Sequence, residues 1–472
     1  MRVLSFAEQI LKDAQSIRTL GEVVNLAALS PEDKTASLVL VVSSLQGVRD
    51  QLAEAAEHAS EGSGAYLDRI ETIRERILEM IRSLFKAREQ SAVITAVQIL
   101  LNDLEDILHG VQLVRECSPR TLDLVGSFAS RLSCILVSRY LEVEGLTVRC
   151  VPNPGIVLRS GAAGRKQVDY RGSYESITAS LGGAGGIQIV AGGIARSREG
   201  VLSILKPDGS DLSASLIASA LAADSIEIWT NLDGVMSADP KYVSDAFVVP
   251  QLSYQEAMEL SYFGARMIQP QALVPAMEAQ IPILIRNLEN MEDPGTRICP
   301  DPVRKHTAMA GIAAIAGIAS IEPVALVNIE GGGMVGVPGI AARIFATLAT
   351  AEVNIIMISQ ASSEHSICVV FRHREAERAV EALRQELSPE IRAKQIQNFD
   401  LRKDLAILAV IGENMRGTPG ISGKLFSALG AARINILAIA QGSSETNISF
   451  VIEKNEQQRA LQTIHRAFLG NS

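Results

Sequence analysis

Two stretches of the sequence resemble each other and form an internal repeat. They read VALVNIEGGGMVGVPGIAARIFATLATAEVNIIMISQASSEHSICVVF from Val324 and LAILAVIGENMRGTPGISGKLFSALGAARINILAIAQGSSETNISFVI from Leu405, at a constant offset of 81 residues. Each copy has the pattern of a strand, a glycine-rich turn with proline at the start of a helix, and two further strands joined by a turn at Ser-Ser-Glu. The pattern predicts a βαββ unit that occurs twice, as in a pair of ferredoxin-like folds.

Each copy also contains a candidate pocket for a small ligand. A glycine-rich helix start leaves backbone N–H groups without partners, which favours binding of a carboxylate. Gln360 and Gln441 end a strand beside this turn, where a polar side chain has little purpose except to contact a ligand. We therefore predict a sensing module. The alternative is a purely structural repeat in which the glycines and prolines serve only as caps.

Over the first 300 residues, apolar runs typical of buried strands alternate with helical patterns. The run SLVLVVSSL at residues 37–45 is the clearest example. This alternation predicts an α/β fold with helices on both faces of a largely parallel sheet. We expect this domain to cover residues 1–300 and a linker to cover 301–320. The two repeat units then follow at 321–400 and 401–472, with a last strand near Arg459 to Phe468 that could return to the first unit.

The composition excludes several classes of protein. The 472 residues are 47% hydrophobic and 21% charged, so the chain is globular and long enough for several domains. Its net charge of −9 argues against a nucleic-acid partner, because phosphate backbones attract clustered Lys and Arg. Five scattered cysteines indicate neither a disulfide framework nor a zinc site, and the histidines show no metal-ligand spacing. We expect a cytoplasmic protein with no membrane partner and no dedicated metal site.

The repeats resemble paired ACT domains, and the whole chain resembles the aspartokinase family, especially the kinase half of bifunctional aspartokinase and homoserine dehydrogenase. The most specific segments are IEIWTNLDGVMSADPKYV at 226–243 and LSYQEAMELSYFGARMIQP at 252–270. The resemblance implies an amino-acid-kinase-like three-layer sheet followed by two ferredoxin-like (ACT) units. It also implies transfer of the ATP γ-phosphoryl group to the side-chain carboxylate of L-aspartate. ATP and Mg²⁺ are then the expected cofactors if nucleotide binding is retained, with Asp211 a contributor to the metal.

Several catalytic positions of the family are replaced in this chain. The family's first strand ends in K-F-G-G-T-S, which matches residues 5–10, so Ser5 stands in place of the phosphate-binding lysine and Glu8 in place of a glycine. The family's F-G-E-R-L-S has Ser130 in place of the glutamate that binds the substrate amino group. In the loop G-R-G-G-S-D, Pro207 replaces the arginine, and the surviving residues are Gly209, Ser210 and Asp211.

The loop after the second strand is partly kept. Ser43, Ser44, Gly47 and Asp50 fit the family pattern, whereas Arg49 replaces a threonine that faces the substrate. The positions at which the family contacts the nucleotide are better preserved. The resemblance assigns these contacts to Thr230, Asp233, Gly234, Asp239, Lys241 and Arg266. The alternative for these last residues is that Asp-Gly and Asp-Pro here are turn chemistry that any such fold would keep.

The resemblance also assigns effector contacts. In the bifunctional relatives the glutamines of the Q-x-S-S-E segments contact the inhibitor threonine, which points to Gln360 and Gln441, with Asn354 and Asn435 in support. Threonine is therefore the expected effector, and lysine is the alternative. We expect a homodimer, or a heterodimer with an active aspartokinase.

Three functional hypotheses remain at this point. The first is a degenerate aspartokinase, a pseudoenzyme or regulatory subunit that still senses an amino acid. The second is a working aspartate kinase whose site is rebuilt with residues such as Lys206, Arg49 and Arg266. The third is an unrelated small-molecule binding protein.

Overall fold

The computed structural model describes residues 1–28, 37–160, 166–183, 185–205, 209–264, 268–302, 315–360 and 365–470. Contacts divide the chain into two compact units. The first unit comprises residues 1–235, 250–254 and 267–302, and the second comprises 236–249, 255–266 and 303–472. The segments 236–249 and 255–266, which the sequence prediction placed in the domain 1–300, therefore belong to the second unit.

The strands of the first unit form two sheets. In chain order they are β1 (Arg2–Phe6), β2 (Leu38–Val42), β3 (Val148–Val151), β4 (Val157–Ser160), β5 (Lys166–Val168), β6 (Ile187–Ala191), β7 (Ile194–Ser197), β8 (Leu202–Ile204), β9 (Ser225–Thr230), β10 (Gln251–Leu252), β11 (Ile283–Asn287) and β12 (Thr296–Ile298). The larger sheet has the order β10-β12-β11-β9-β1-β2-β6-β3, and the smaller one has the order β5-β4-β7-β8. From β11 to β3 all neighbouring strands of the larger sheet run parallel.

Helices cover both faces of the larger sheet. They are α1 (Ala14–Ala28), α2 (Val48–Ser60), α3 (Tyr66–Leu84), α4 (Ala87–Val114), α5 (Pro119–Val143), α6 (Tyr170–Leu181), α7 (Gly209–Ala220) and α9 (Pro270–Glu278), while α8 (Tyr254–Tyr262) lies almost wholly in the second unit. Leu4 and Phe6 of β1 pack into a core shared with α1 to α5. The alternate residue Ser5 faces the opposite side, where α7 lies. This three-layer arrangement confirms the predicted α/β fold class.

Helix α5 is long and apolar enough to cross a membrane, judged by length and composition alone, and 67% of its most apolar window is buried. Phe128 and Leu132 lie in the core of the first unit. The helix begins where Ser118 Oγ accepts a hydrogen bond from the Thr121 N–H and Pro119 occupies the first turn. Burial of this kind is typical of a core helix.

The second unit contains the repeat. Its remaining elements are β13 (Gly317–Glu330), α10 (Ile340–Thr350), β14 (Ile355–Gln360), β15 (Ser366–Arg372), α11 (Ala376–Glu386), α12 (Ser388–Arg392), β16 (Asn398–Ile411), α13 (Ile421–Ala431), β17 (Ala438–Gln441), β18 (Asn447–Glu453) and α14 (Gln457–Phe468). The strand order is β14-β15-β13-β16-β18-β17. Both copies thus have the predicted βαββ order.

The two ferredoxin-like units share their long strands. Val324–Glu330 of β13 pairs with β15 of the first copy, whereas Gly317–Ile321 at the start of β13 pairs with Ile407–Ile411, the strand that also pairs with β18 of the second copy. The strand that completes the second unit therefore precedes the first unit in the chain. Residues 317–320, which were predicted to be linker, belong to this strand.

The predicted returning strand near Arg459 to Phe468 is wrong, because these residues lie in helix α14. Leu461, Ile464 and Phe468 recur at intervals of three and four residues, and all three are buried in the core of the second copy. That spacing places the three side chains on one face of a helix. On a strand, where successive side chains point to opposite faces, they would not all lie on the same face.

Candidate functional site

The candidate kinase site lies at the carboxyl ends of the central parallel strands, which is where open α/β sheets bind their ligands. Helix α7 begins there and packs against β1, β2 and β9. Three predicted catalytic residues, Gly209, Ser210 and Asp211, form its first turn. The structure therefore brings the surviving residues of the family loop to the ends of the strands.

Ser210 joins the start of α7 to the end of β2. Ser43 Oγ donates a hydrogen bond to Ser210 Oγ at 2.6 Å, and both residues are buried. A Cβ atom built on Gly192, just after β6, would lie 2.9 Å from the Ser210 Cβ. Only a glycine allows this close approach of helix and strand. Ser210 thus occupies a tightly packed position at the centre of the site.

Asp211 is held by a residue of β1. Ser5 Oγ donates a hydrogen bond to Asp211 Oδ1 at 3.1 Å, and Ser5 is fully buried. The resemblance described above predicts that Ser5 matches the phosphate-binding lysine of the family. The contact therefore joins two predicted site residues, and it joins them through a neutral hydroxyl group.

Ser130, which the resemblance predicts to match the substrate-binding glutamate of the family, lies on α5 and is buried. Its neighbour Arg131 places its guanidinium group 4.5 Å from the centre of the Phe128 ring, and burial lowers the pKa of Arg131. Pro207, the third position at which a replacement was predicted, lies outside the described residues, as do its neighbours Lys206 and Asp208.

A polar network that sequence reasoning missed links α5 to the smaller sheet. Asp123 Oδ2 accepts hydrogen bonds from Lys166 Nζ at 2.9 Å and from Ser203 Oγ at 2.8 Å. Asp123 is buried, and a buried carboxylate is stable only with such partners. Lys166 and Ser203 also line a groove of 470 Å³. The sequence did contain a signal for this network, because Asp123 is an acidic residue within the apolar helix α5.

The predicted nucleotide residues of the first unit follow β9. Thr230 ends the strand and is buried, and its hydroxyl group donates to Asn231 Oδ1 at 3.3 Å. Asp233 Oδ1 accepts hydrogen bonds from the side-chain amides of Asn287 and Asn290 at 2.8 and 3.2 Å. Gly234 has a φ of 147°, which a residue with a side chain rarely adopts. Asp233 and Gly234 thus have evident roles in shaping this turn.

The other predicted nucleotide residues lie in the second unit. Asp239 Oδ1 accepts a hydrogen bond from the Lys241 N–H at 2.9 Å, which is the geometry of an Asx turn. Lys241 Nζ lies 3.2 Å from the hydroxyl group of Tyr242, and this hydrogen bond raises the pKa of Lys241. Arg266 lies outside the described residues. The Asp239 contact is the turn chemistry considered above as the alternative to nucleotide binding.

The second copy of the repeat contains a pocket of 240 Å³ between the start of α13 and the end of β17. Gln441, a predicted effector residue, lines it together with Pro419, Gly420 and Ile421. Gly420 precedes α13 with a φ of 92°, so the first N–H groups of the helix lie beside the pocket. This is the arrangement that the sequence predicts for a carboxylate ligand.

Glu445 closes one side of this pocket. Its carboxylate accepts a hydrogen bond from the Gly417 N–H at 2.7 Å. Asn435, the supporting residue predicted for this copy, precedes β17 and does not line the pocket. In the first copy, Gln360 ends β14 and Asn354 directly precedes that strand. Residues 361–364 of the first copy lie outside the described residues.

Within the described part of the chain, no group of three or more His, Cys, Asp or Glu side chains could hold a metal ion. ATP-bound Mg²⁺ would have to rely on phosphate oxygens and on Asp211, whose Oδ1 already accepts from Ser5.

Comparisons with known proteins agree with the fold. Residues 2–287 match the amino acid kinase family, and residues 327–387 and 408–468 each match the ACT domain. The chain is 33% identical over 468 residues to "Bifunctional aspartokinase/homoserine dehydrogenase 2, chloroplastic" of Arabidopsis thaliana, an alignment that covers 99% of this chain and 50% of that protein. The chain spans about half the length of the curated relatives it matches.

Two crystal structures of E. coli aspartokinase III have the same fold. The complex with aspartate and ADP, described as the R-state, has a TM-score of 0.79 at 21% identity and covers 99% of each chain. The complex with lysine and aspartate, described as the T-state, has a TM-score of 0.75 at 22% identity and also covers 99% of each chain.

The chain is therefore a protein with the amino-acid-kinase fold followed by ACT domains. Within this class the chain belongs to the aspartokinase family, and it is homologous to the kinase half of the bifunctional aspartokinase/homoserine dehydrogenases. This confirms the resemblance found in the sequence.

Proposed function

We propose that this chain is a regulatory protein of the aspartate-derived amino-acid pathway, which senses an amino acid through its ACT units and has an impaired kinase site. The main support for an impaired kinase site is the contact of Ser5 with Asp211 at 3.1 Å. Phosphoryl transfer depends on positive charge around the phosphates, because the protein contributes mainly positioning and charge stabilisation. A buried serine stands where the family has a lysine, and its hydroxyl group supplies no such charge.

A second replacement supports the same proposal. Ser130 is buried on α5, where the family has a glutamate that binds the substrate amino group. Removal of one preorganised group typically lowers the rate on the order of 100- to 1,000-fold. Ser5, Ser130 and Pro207 replace three such groups, and effects of this kind need not add. Efficient aspartate phosphorylation by this chain alone is therefore not expected.

The second candidate function is an active aspartate kinase. It is favoured by the preserved first turn of α7, which places Ser210 and Asp211 at the strand ends. In this alternative, ATP and Mg²⁺ bind at these strand ends, and Lys206 and Arg266 replace the missing cations. The aspartokinase III structure with aspartate and ADP supports ATP as the nucleotide of the family.

The effector proposal rests on the pocket at Gln441. A free amino acid offers a carboxylate for the helix N–H groups beside Gly420 and an ammonium group for the carboxylate of Glu445. The amide of Gln441 then contacts the remaining part of the ligand. Threonine is our proposed effector, and the lysine complex of aspartokinase III makes lysine the alternative. Binding is proposed to act on a homodimer or on a heterodimer with an active aspartokinase, in the cytoplasm.

The test combines two measurements on the purified chain. Isothermal titration with threonine and with lysine identifies the effector, and Gln441→Ala is expected to weaken binding at least about tenfold if its hydrogen bonds contact the ligand. Gln360→Ala tests the first copy in the same way. A coupled assay for aspartate-dependent ADP release tests the kinase site. Turnover at a rate typical of kinases, about 1 to 100 per second, would overturn the impairment.

A further inference from the structure

Glu8 makes contacts that an ordinary surface glutamate does not make. It begins a short 3-10 turn, Glu8–Ile10, with one residue between it and the end of β1. Its Oε2 accepts a hydrogen bond from Ser44 Oγ at 2.7 Å, and its Oε1 accepts one from the Gly47 N–H at 3.1 Å. The guanidinium group of Arg49 lies 3.9 Å from Oε2. Both carboxylate oxygens are thus bound by one loop.

This loop connects β2 to α2 at the carboxyl end of the sheet, where ligands of α/β folds bind. The loop offers a hydroxyl group and a backbone N–H to the carboxylate, and Arg49 in the first turn of α2 adds a guanidinium group at an ion-pair distance of 3.9 Å. Such sets of donors are the ones that proteins use to bind carboxylates and phosphates, because hydrogen bonds to ionised acceptors are the strong ones. Ser44 is fully buried, so its hydroxyl group is fixed in place.

Space for a ligand remains beside the loop. A Cβ atom built on Gly47 would meet no atom within 4 Å, and Gly47 has a φ of 77°, which favours glycine. The side chain of Glu8 itself is 25% exposed. The position is therefore accessible from solvent rather than sealed inside the core.

We propose that Glu8 is an intramolecular ligand of this loop, and that its carboxylate occupies a position that would otherwise take the carboxylate or phosphate group of a small anion. The inference deepens the proposed function and rests on it, since the loop matches the substrate-facing loop of the family. Glu8 then adds a further reason for impairment, because it places a fixed negative charge where an anionic substrate would approach.

A tethered carboxylate is an effective competitor. Groups held in place by a short connection act at effective concentrations on the order of millimolar or higher. A free anion of millimolar affinity therefore cannot displace Glu8 from Ser44, Gly47 and Arg49 at ordinary concentrations. Removal of the Glu8 carboxylate leaves the donors of the loop available to such an anion.

The experiment is isothermal titration of the full chain with inorganic phosphate and, separately, with L-aspartate. Glu8→Ala removes the internal ligand, and Glu8→Gln keeps its shape while removing its charge. The matched control is Glu289→Ala, which removes a carboxylate that pairs with Lys12 at 2.8 Å on the surface of the same unit. We expect at least about tenfold tighter anion binding in Glu8→Ala than in the wild type, and no change in Glu289→Ala.

A double variant tests whether the gained binding occurs at this loop. Adding Arg49→Ala to Glu8→Ala is expected to remove the gain, because the guanidinium group supplies the positive charge of the ion pair. If Glu8→Ala fails to fold, as judged by circular dichroism, Glu8→Gln takes its place with the same expectation. Folded Glu8 variants that bind both anions no better than the wild type would refute the inference, and Glu8 would then be a structural cap of the loop.

The two anions and the turnover assay separate this inference from the proposed function. A gain for phosphate alone assigns the loop to a phosphate group, and a gain for aspartate assigns it to a carboxylate. Rapid aspartate-dependent turnover by the wild type overturns the impairment, but the comparison of Glu8→Ala with Glu289→Ala still decides the role of Glu8. An inactive wild type with no gain in the Glu8 variants leaves the proposed function in place and removes the inference.

Discussion

The hydroxyl group of Ser359 donates a hydrogen bond to the carbonyl oxygen of Ile439 at 3.0 Å. This contact links β14 of the first copy to β17 of the second, and these two strands end at Gln360 and Gln441. The residue that matches Ser359 in the second copy is Ala440, so the hydrogen bond is made from one side only. The two proposed effector positions therefore lie on strands that touch directly.

Ser359→Ala is expected to destabilise the second unit by about 1 kcal/mol or less, because one hydrogen bond contributes about 0.5–1.5 kcal/mol net and this one is exposed. Urea unfolding followed by circular dichroism measures the change. Ser359→Thr keeps a hydroxyl group on a strand and serves as the control. An equal loss in both variants would show that the hydroxyl group is not responsible.

The second-copy pocket predicts a specific effect of a small change. Ser422 lines this pocket, and the first copy has Ala341 at the matching position. We expect Ser422→Ala to weaken threonine binding about three- to tenfold, since a lost hydrogen bond of about 1 kcal/mol corresponds to that range. Isothermal titration measures it, with Ala341→Ser as the reciprocal variant. Unchanged affinity in Ser422→Ala would exclude contact between this hydroxyl group and the ligand.

The repeat was predictable because its signals are local. The offset of 81 residues, the Pro-Gly-Ile segments and the alternating apolar residues all lie within short stretches of the chain. The sharing of strands was not predictable in this way. Gly317–Ile321 pairs with Ile407–Ile411, 86 to 94 positions away along the chain, and nothing within either segment specifies its partner.

For the candidate kinase site, too, the local signals were predictable from the sequence and the contacts between distant segments were not. The sequence alone predicted that Ser5 and Ser130 replace family residues, but the contact of Ser5 with Asp211 depends on two segments that are 206 residues apart. From the sequence, Glu8 was identified only as a residue in place of a family glycine. Its partners Ser44 and Gly47 come from a different loop, so only the fold brings the donors to the carboxylate.

Gly192→Ala tests the packing of α7 against the sheet. The added Cβ atom would lie 2.9 Å from the Ser210 Cβ, so the helix start must move and the hydrogen bond between Ser43 and Ser210 weakens. We expect a loss of about 1–3 kcal/mol in the stability of the first unit, which is typical of an overpacked site. The control is Gly185→Ala, where no atom lies within 4 Å of the added carbon. Thermal unfolding of both variants measures the difference, and equal melting temperatures would contradict the close approach.

Buried His465 predicts a pH dependence of the second unit. Its Nε2 lies 3.0 Å from Ser237 Oγ, and burial lowers the pKa of His465, with the charge of Asp245 opposing the shift. A histidine with a lowered pKa in the folded state binds protons more weakly than in the unfolded state, where its pKa is about 6.5. Its contribution to stability is therefore present above about pH 6.5 and is lost as the pH falls below that value toward the folded pKa.

We expect the wild type to lose more stability between pH 7 and pH 5, measured by urea unfolding, than His465→Gln, because the variant lacks the titrating group. The difference between the two proteins, rather than either curve alone, isolates the histidine from the carboxylates that titrate nearby. His109→Gln, which removes an exposed histidine of the first unit, is expected to follow the wild type. Parallel stability curves for the wild type and His465→Gln would contradict this prediction. They would mean that the imidazole becomes protonated equally easily in the folded and the unfolded chain, so that its burial against Ser237 does not make stability depend on pH.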